Sequence, residues 1–197
     1  MERRTYEASE LRVDEGDKAV LTGHAAVFET LSLEMWGFRE KIAEGAFADT
    51  LGKDDIRALW NHDTNLVLGR KSAGTLDLRE DRTGLAVKIN PPDWASAQVE
   101  TIRRGDVSQM SFGFRVLEDG WDTDRNDPDL LIRTIRKVQL LEVSPVTFPA
   151  YPDTDIKARD FAGAVRSMES YRESCRPAFR PRLAACRKLL VESWTQC

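Results

Sequence analysis

The chain contains only two histidines, His24 and His62, among 197 residues. A mechanism in which an imidazole draws the proton from a hydroxyl nucleophile must therefore use one of them. His62 sits in Ala58-Leu-Trp-Asn-His-Asp63, after an apolar run and between polar neighbours. That context reads as a strand end facing outward, where a plain surface histidine is the bland alternative. His24 follows Gly23 inside an apolar segment, which reads as a strand histidine with a satisfied ring N–H. Among serines, Ser111 stands out in Gln109-Met-Ser-Phe-Gly-Phe114. A glycine two residues on, inside a strand, marks a bulge or a close approach to the backbone, and either would suit a site where a carbonyl must meet backbone N–H groups. The bland alternative is an ordinary buried serine. Ser108 competes, nearer the loop after Gly105. Glu142, in Leu140-Leu-Glu-Val-Ser-Pro-Val-Thr-Phe148, either points outward or points inward and then needs a partner, because a lone buried carboxylate is expensive. An imidazolium would be such a partner. Asp63 adjoins His62 and is poorly placed to orient its ring, while Asp93 and Asp106 read as cap or loop residues. No Gly-x-Ser-x-Gly elbow occurs. The residues alone thus offer a candidate Ser–His–Glu set that no spacing rule joins.

What must position these groups is a modest, mostly β domain. An apolar fraction of 41% allows a core, though not a generous one. The net charge of −4 gives no reason to expect nucleic acid as partner. That average hides a partition. Residues 157–197 carry 9 Lys plus Arg against 4 Asp plus Glu, a net of +5, which leaves −9 on the first 156 residues. All three cysteines, Cys175, Cys186 and Cys197, lie in the basic part, so no disulfide framework holds the body, and the odd count points to a reducing compartment. Their spacing of eleven puts them near one helical face. No metal site is expected, since both histidines are distant and no Cys-x-x-Cys occurs, and nothing in the sequence calls for a cofactor. The opening MERRTYEASELRVDEGD is charged and does not read as a signal peptide. No stretch approaches the ~20 apolar residues of a membrane span. A soluble, intracellular protein is expected.

Along the chain, strands are predicted over Tyr6–Val13, Ala19–Phe28 and Ile56–Trp60, with a hairpin of Thr75–Leu78 and Leu85–Ile89 closed by a polar loop ending at Gly84. Glu44–Leu51 reads as a short helix with Gly52 at C′. Asp93–Arg104 reads as a second helix, with Asp93 as N-cap and Gly105 after its end. Val107–Val116 is a strand and Glu118–Asp129 an acidic loop. Leu130–Val138 and Leu140–Phe148 are two more strands. The class is α+β, mainly β: a closed or partly open barrel with surrounding helices. After Tyr151-Pro-Asp the character becomes helical, over Ile156–Ser174 and Pro181–Trp194, with two prolines between them. A domain edge is placed near residue 155, giving a body of 1–155 and a basic helical tail of 156–197.

Several stretches resemble, in order, the prohead protease family of tailed phages: Phe38-Arg-Glu-Lys-Ile-Ala-Glu-Gly-Ala-Phe47, Ala58-Leu-Trp-Asn-His-Asp63, Val67-Leu-Gly-Arg70, Gly74-Thr-Leu76, Gly84-Leu85, Arg104-Gly-Asp-Val-Ser-Gln-Met-Ser-Phe-Gly-Phe114 and Leu141-Glu-Val-Ser-Pro-Val-Thr-Phe-Pro-Ala150. The resemblance implies His62 as base, Ser111 as nucleophile and Glu142 as third member, with His24 as the substitute for that role. It implies a fold similar to the herpesvirus assembly protease, whose third member is a histidine. It implies a serine endopeptidase that cleaves the scaffolding segment of the major capsid protein, and itself, inside an assembling procapsid in the host cytoplasm. A homodimer is expected by the same resemblance, with no nucleic acid, membrane or cofactor involved. The oxyanion donors would be backbone N–H groups near Phe112-Gly113, or Arg103 or Arg104. The basic tail would be a targeting arm or a self-cleaved segment. Two other readings compete: a catalytically silent protease-like assembly module, and a serine esterase acting on small molecules.

Overall fold

The computed structural model describes residues 1–5, 11–16, 18–34, 37–148 and 158–175. Among the described residues the fold is mainly β, with 49% in strands. The strands are β1 (Glu2–Thr5), β2 (Leu11–Asp14), β3 (Val20–Val27), β4 (Phe38–Ile42), β5 (Arg57–Trp60), β6 (Asp63–Arg70), β7 (Leu76–Glu80), β8 (Gly84–Ile89), β9 (Gln109–Thr123) and β10 (Leu131–Val146). The helices are α1 (Ala48–Lys53), α2 (Ser96–Arg103) and α3 (Ala158–Ser174). One sheet runs β1-β9-β10-β5-β6, with β4 also pairing β10, and it curls into a half-barrel. The other runs β2-β3-β8-β7.

The core lies between the two sheets. Phe112, Phe114, Val143, Ala58 and Leu68 from the first meet Leu21, Ala26, Leu85, Val87 and Ile89 from the second, all buried. Phe112 stacks on Phe114 at 4.9 Å and meets Phe47 edge-on at 5.8 Å, so aromatic packing adds to the area term. A smaller cluster joins Phe38, Trp121 and Leu131 to Ala164 and Met168 of α3. Trp121 donates its indole N–H to Ser167, and Ser167 donates to Asp119. Helix α3 thus packs on the strands by an apolar stripe and one polar chain, and it follows the predicted Ile156–Ser174. Among the described residues no helix is long and apolar enough to cross a membrane.

The long central hairpin differs from the sequence expectation. Leu131–Val146 forms one strand in place of two, with irregular pairing between Ile135 and Val138 and between Leu140 and Glu142. Those irregularities, which let a strand bend without ending, coincide with breaks in the alternation of buried residues at Arg136-Lys137 and at Glu142-Val143. Its partner β9 runs to Thr123, so the first half of the expected acidic loop is strand. Leu131–Ile135 pairs Thr123–Asp119 residue for residue, and Arg133 binds Asp119 at 2.7 Å. Two helix starts also differ. Residues 44–47 form turns, α1 begins at Ala48, and Gly52 lies within it, with Asp54 as its C-cap. Asp93 opens a 3-10 turn over Asp93–Ala95, without a side-chain cap bond, and α2 follows from Ser96. Gly105 does end α2 as expected, in the left-handed region with φ 82°. Strands β1, β4 and β6 went unrecognised in the sequence. The predicted strand over Tyr6–Val13 appears as Leu11–Asp14, its first half lying outside the described residues. The domain edge near residue 155, the Pro181–Trp194 helix, Cys186 and Cys197 also lie outside them.

Candidate active site

The geometry begins with strand register. Ser111 on β9 lies opposite Ser144 on β10, and Gly113 lies opposite Glu142. Opposed residues project from the same face of a sheet. The intervening Met110, Phe112 and Val143 enter the core, so Ser111, Gly113, Glu142 and Ser144 gather on the other face. That face is nonetheless buried at this point. Ser111 and Ser144 are fully inaccessible and Glu142 is 4% exposed.

His62 reaches the same place from the turn joining β5 to β6. Trp60 pairs with Asp63, leaving Asn61-His62 as a two-residue hairpin loop with φ of 51° and 60°. Both residues are left-handed, as a type I′ turn demands, and the second position normally favours glycine. Asparagine adopts this region readily, whereas holding a histidine there costs up to about 1–2 kcal/mol. The turn is fixed from the side by Asn61. Its N–H donates to the Pro145 carbonyl (3.0 Å), its Oδ1 accepts from the Thr147 N–H (2.8 Å), and its Nδ2 donates to Thr147 Oγ1 (3.0 Å). A histidine is thus locked in a conformation its own preferences disfavour, against the end of the strand that carries Glu142. Asp63 is turned away, its Oδ1 accepting from the backbone and side chain of Asn65.

The result is a carboxylate–imidazole pair. Glu142 Oε1 lies 2.7 Å from His62 Nδ1, and Glu142 Oε2 accepts the Ser144 hydroxyl at 2.5 Å. With Nδ1 engaged by the acid, the tautomer that donates from Nδ1 leaves Nε2 as proton acceptor. Gly113 is what admits this carboxylate. A Cβ on Gly113 would stand 2.3 Å from Glu142 Oε1 and 2.6 Å from the Met1 side-chain methyl. The glycine two residues beyond Ser111 therefore marks a close approach, although the group approaching is the acid rather than a substrate.

Ser111 donates its hydroxyl to the Arg4 carbonyl of β1 at 2.9 Å. Among the described residues no hydrogen bond joins it to His62. Strand β1 pairs β9 with Thr5 opposite Ser111 and is anchored by a buried ion cluster. Arg4 binds Glu40 (2.6 Å) and Glu2 (2.7 Å), and Arg133 binds Glu40 (2.8 Å) and Asp119 (2.7 Å). Burial alone would raise the Glu40 carboxyl, but Arg4 and Arg133 outweigh it and hold it below the ordinary range. For Glu2 burial prevails and the carboxyl is raised, against the opposing pull of the same arginines.

The remaining candidates fall elsewhere. His24 lies on the four-stranded sheet with Nε2 2.9 Å from Asp81 Oδ2, so its ring is satisfied by a different acid. Ser108 is exposed ahead of β9. Arg103 is engaged by Glu15 and Glu100, and Arg104 by Asp106 at 3.3 Å. Sequence reasoning missed Asn61 and Ser144. The signal for Ser144 was available, because Glu142-Val-Ser144 at a spacing of two places hydroxyl and carboxylate on one strand face. Asn61 opens a tight hairpin whose second strand was not recognised, so its role had no visible frame.

A family model described as caudovirus prohead serine protease matches residues 6–171, a span that takes in His62, Ser111, Glu142 and most of helix α3. No curated protein and no solved structure matches the chain. Since the match spans most of the sequence, the chain belongs to the caudovirus prohead serine protease family.

Proposed function

We propose that this chain is a serine endopeptidase that cuts the scaffolding segment of the phage major capsid protein, and itself, within the assembling procapsid. Family membership supports a protease of capsid maturation. The observation that carries the residue assignment is the 2.7 Å contact between His62 Nδ1 and Glu142 Oε1, on the sheet face that also bears Ser111. In the proposed reaction His62 Nε2 takes the Ser111 proton as Oγ bonds to the scissile carbonyl carbon. The tetrahedral intermediate collapses, the C–N bond breaks, and His62 returns the proton to the leaving amine. Water then repeats the sequence on the acyl-enzyme. Glu142 fixes the ring and stabilises its charged form. Backbone N–H groups about Phe112-Gly113 are the proposed oxyanion donors.

The resting geometry bears on the first step. Ser111 is inaccessible and its hydroxyl points to the Arg4 carbonyl, so attack requires that bond to exchange for one to His62. This observation favours a restrained protease and also suits the competing reading of a silent assembly module. A closed or partly open barrel of the herpesvirus-protease kind, a homodimer, and a basic segment 156–197 that targets the procapsid or is self-cleaved complete the proposal. The charge contrast of +5 against −9 supports the targeting role.

The test is co-expression with the capsid protein of the same phage, wild type beside Ser111→Ala, followed by intact-mass analysis of both chains. Defined cleavage in the wild type that disappears in the variant is expected. Unchanged cleavage by the variant would remove Ser111 as nucleophile. Absence of cleavage by either chain, even when both are assembled into procapsids, would leave the silent module as the better account.

A further inference from the structure

We propose that Ser144 is a positioning residue of this site: its hydroxyl holds the outer oxygen of Glu142 so that the inner oxygen is presented to His62. The inference rests on the Ser111–His62–Glu142 reading and extends it by one residue. The last torsion of a glutamate is broad and roughly two-fold, so the side chain does not by itself settle which oxygen faces the imidazole, or at what angle. Here both oxygens are assigned. Oε1 meets His62 Nδ1 at 2.7 Å and Oε2 receives the Ser144 hydroxyl at 2.5 Å. The second distance is that of a charge-assisted O–H···O⁻ bond.

Ser144 is well placed to impose this. Its backbone sits in the middle of the sheet, opposite Ser111 on β9, while the preceding residues of β10 pair with β5. Val143 and Val146 beside it are buried, so the strand cannot roll. The side chain is fully inaccessible, and its hydrogen bond is the one to Glu142. A buried hydroxyl spent on a carboxylate in this way stabilises the charged acid and removes a rotational freedom of the group that orients the base. Because Ser144 also faces Ser111 across the strands, the two hydroxyls have divided roles: Ser111 is the attacking group and Ser144 holds the acid.

The experiment compares full-length wild type, Ser144→Ala, Glu142→Ala and the double variant. Two readouts are used: steady-state cleavage of the capsid protein, and the rate at which a fluorophosphonate labels the active serine, with the labelled peptide located by mass spectrometry. Ser144→Ala is expected to lower kcat roughly ten- to a hundredfold, the range of a misplacement near 1 Å, with KM within about twofold. In the Glu142→Ala background the same change should have almost no effect on the labelling rate. An equal loss in both backgrounds would show that Ser144 supports the fold and not the acid, and would overturn the inference. So would wild-type kcat in Ser144→Ala, or label found on Ser144 itself. If Ser144→Ala does not fold, Ser144→Cys, which keeps the size and weakens the donor, is measured in its place with the same expectations. Full activity in Glu142→Ala would instead refute the triad reading on which the inference stands.

Discussion

Gly113→Ala tests the site by adding one methyl group where the structure leaves no room. An ideal Cβ would lie 2.3 Å from Glu142 Oε1 and 3.1 Å from its Cδ. Carbon and oxygen need roughly 1 Å more than the first of these distances, and the carboxylate is clamped by contacts of 2.7 Å and 2.5 Å. Retreat by about 1 Å would stretch the bond to His62 to about 3.7 Å, beyond any real hydrogen bond. Loss of one charge-assisted bond is worth about 1.5–3 kcal/mol. The lower entropy of an unfolded chain with alanine offsets about 0.4–1 kcal/mol of that. The net destabilisation is about 1–2 kcal/mol, and a domain of this size should lose a few degrees of Tm while remaining folded. Catalysis should suffer more. Misplacing the acid should lower kcat/KM by about 10² from geometry alone, and by up to about 10⁴ if the imidazole loses its tautomer. Cleavage of the capsid protein and the melting temperature would be measured on the same samples. In a Glu142→Ala background the methyl has nothing to displace but the end of Met1, so Gly113→Ala should then change the rate of fluorophosphonate labelling by less than about twofold. Wild-type cleavage by Gly113→Ala with Glu142 intact would refute the argument that the acid works from this position.

Two further substitutions separate fold from chemistry. Asn61→Ala removes the two side-chain hydrogen bonds to Thr147, just past the end of β10, and places alanine at φ 51°, so urea denaturation should show a loss of about 2–4 kcal/mol. Asn61→Gly keeps the turn conformation and should lose less stability, yet both variants should lower kcat because His62 is no longer fixed against the strand that carries Glu142. Glu40→Ala leaves Arg4 and Arg133 short of a buried partner and should cost about 3–5 kcal/mol. Glu40→Gln tests the electrostatics by pH. The folded Glu40 carboxyl lies below its ordinary 4.5, so its contribution is complete above that value and is lost as pH falls through the folded one. Glu2, raised in the fold, has the opposite sign and is common to both proteins. The acid limb of stability against pH, below about 4.5, should therefore be flatter in Glu40→Gln than in wild type; an unchanged limb would contradict the assignment.

Much of the layout was legible in the residues because the two periods of the polypeptide are local. The β7–β8 hairpin, β3, the Gly105 helix end and helix α3 all follow from alternation, caps and turns. The errors share a different cause. Whether β10 is one strand or two depends on how it bends against β9. Whether Glu118–Thr123 is loop or strand depends on Arg133 and on α3 arriving from distant sequence to cover Asp119 and Trp121. Charge and local turn signals carry no information about such partners. The site shows the same division. Each of Ser111, His62 and Glu142 was visible singly, and the resemblance put them in order. Register alone brings Ser111, Gly113, Glu142 and Ser144 to one face, and register is set by the whole sheet.

That register also explains why polar groups are tolerated beneath the surface here. A strand with phenylalanines on one face and serine and glycine on the other presents the core to one side and a second, polar buried layer to the other. That second side holds a carboxylate that a larger residue at 113 would exclude, and the carboxylate is hydrogen-bonded by an imidazole from a left-handed turn. Each element is locally unfavourable: a buried acid, a left-handed histidine, a glycine inside a strand. Jointly they satisfy one another, since the acid gives the histidine a partner, the glycine gives the acid space, and Asn61 holds the turn. Such mutual dependence is expected of a site that the fold maintains at some expense in stability. It also separates the restraint from the machinery. On the proposed reading, Glu142 and His62 are already joined, and attack by Ser111 requires its hydroxyl to leave the Arg4 carbonyl of β1. In that reading the hydrogen bond from Ser111 to β1 is distinct from the His62–Glu142 pair, and the two can be perturbed separately.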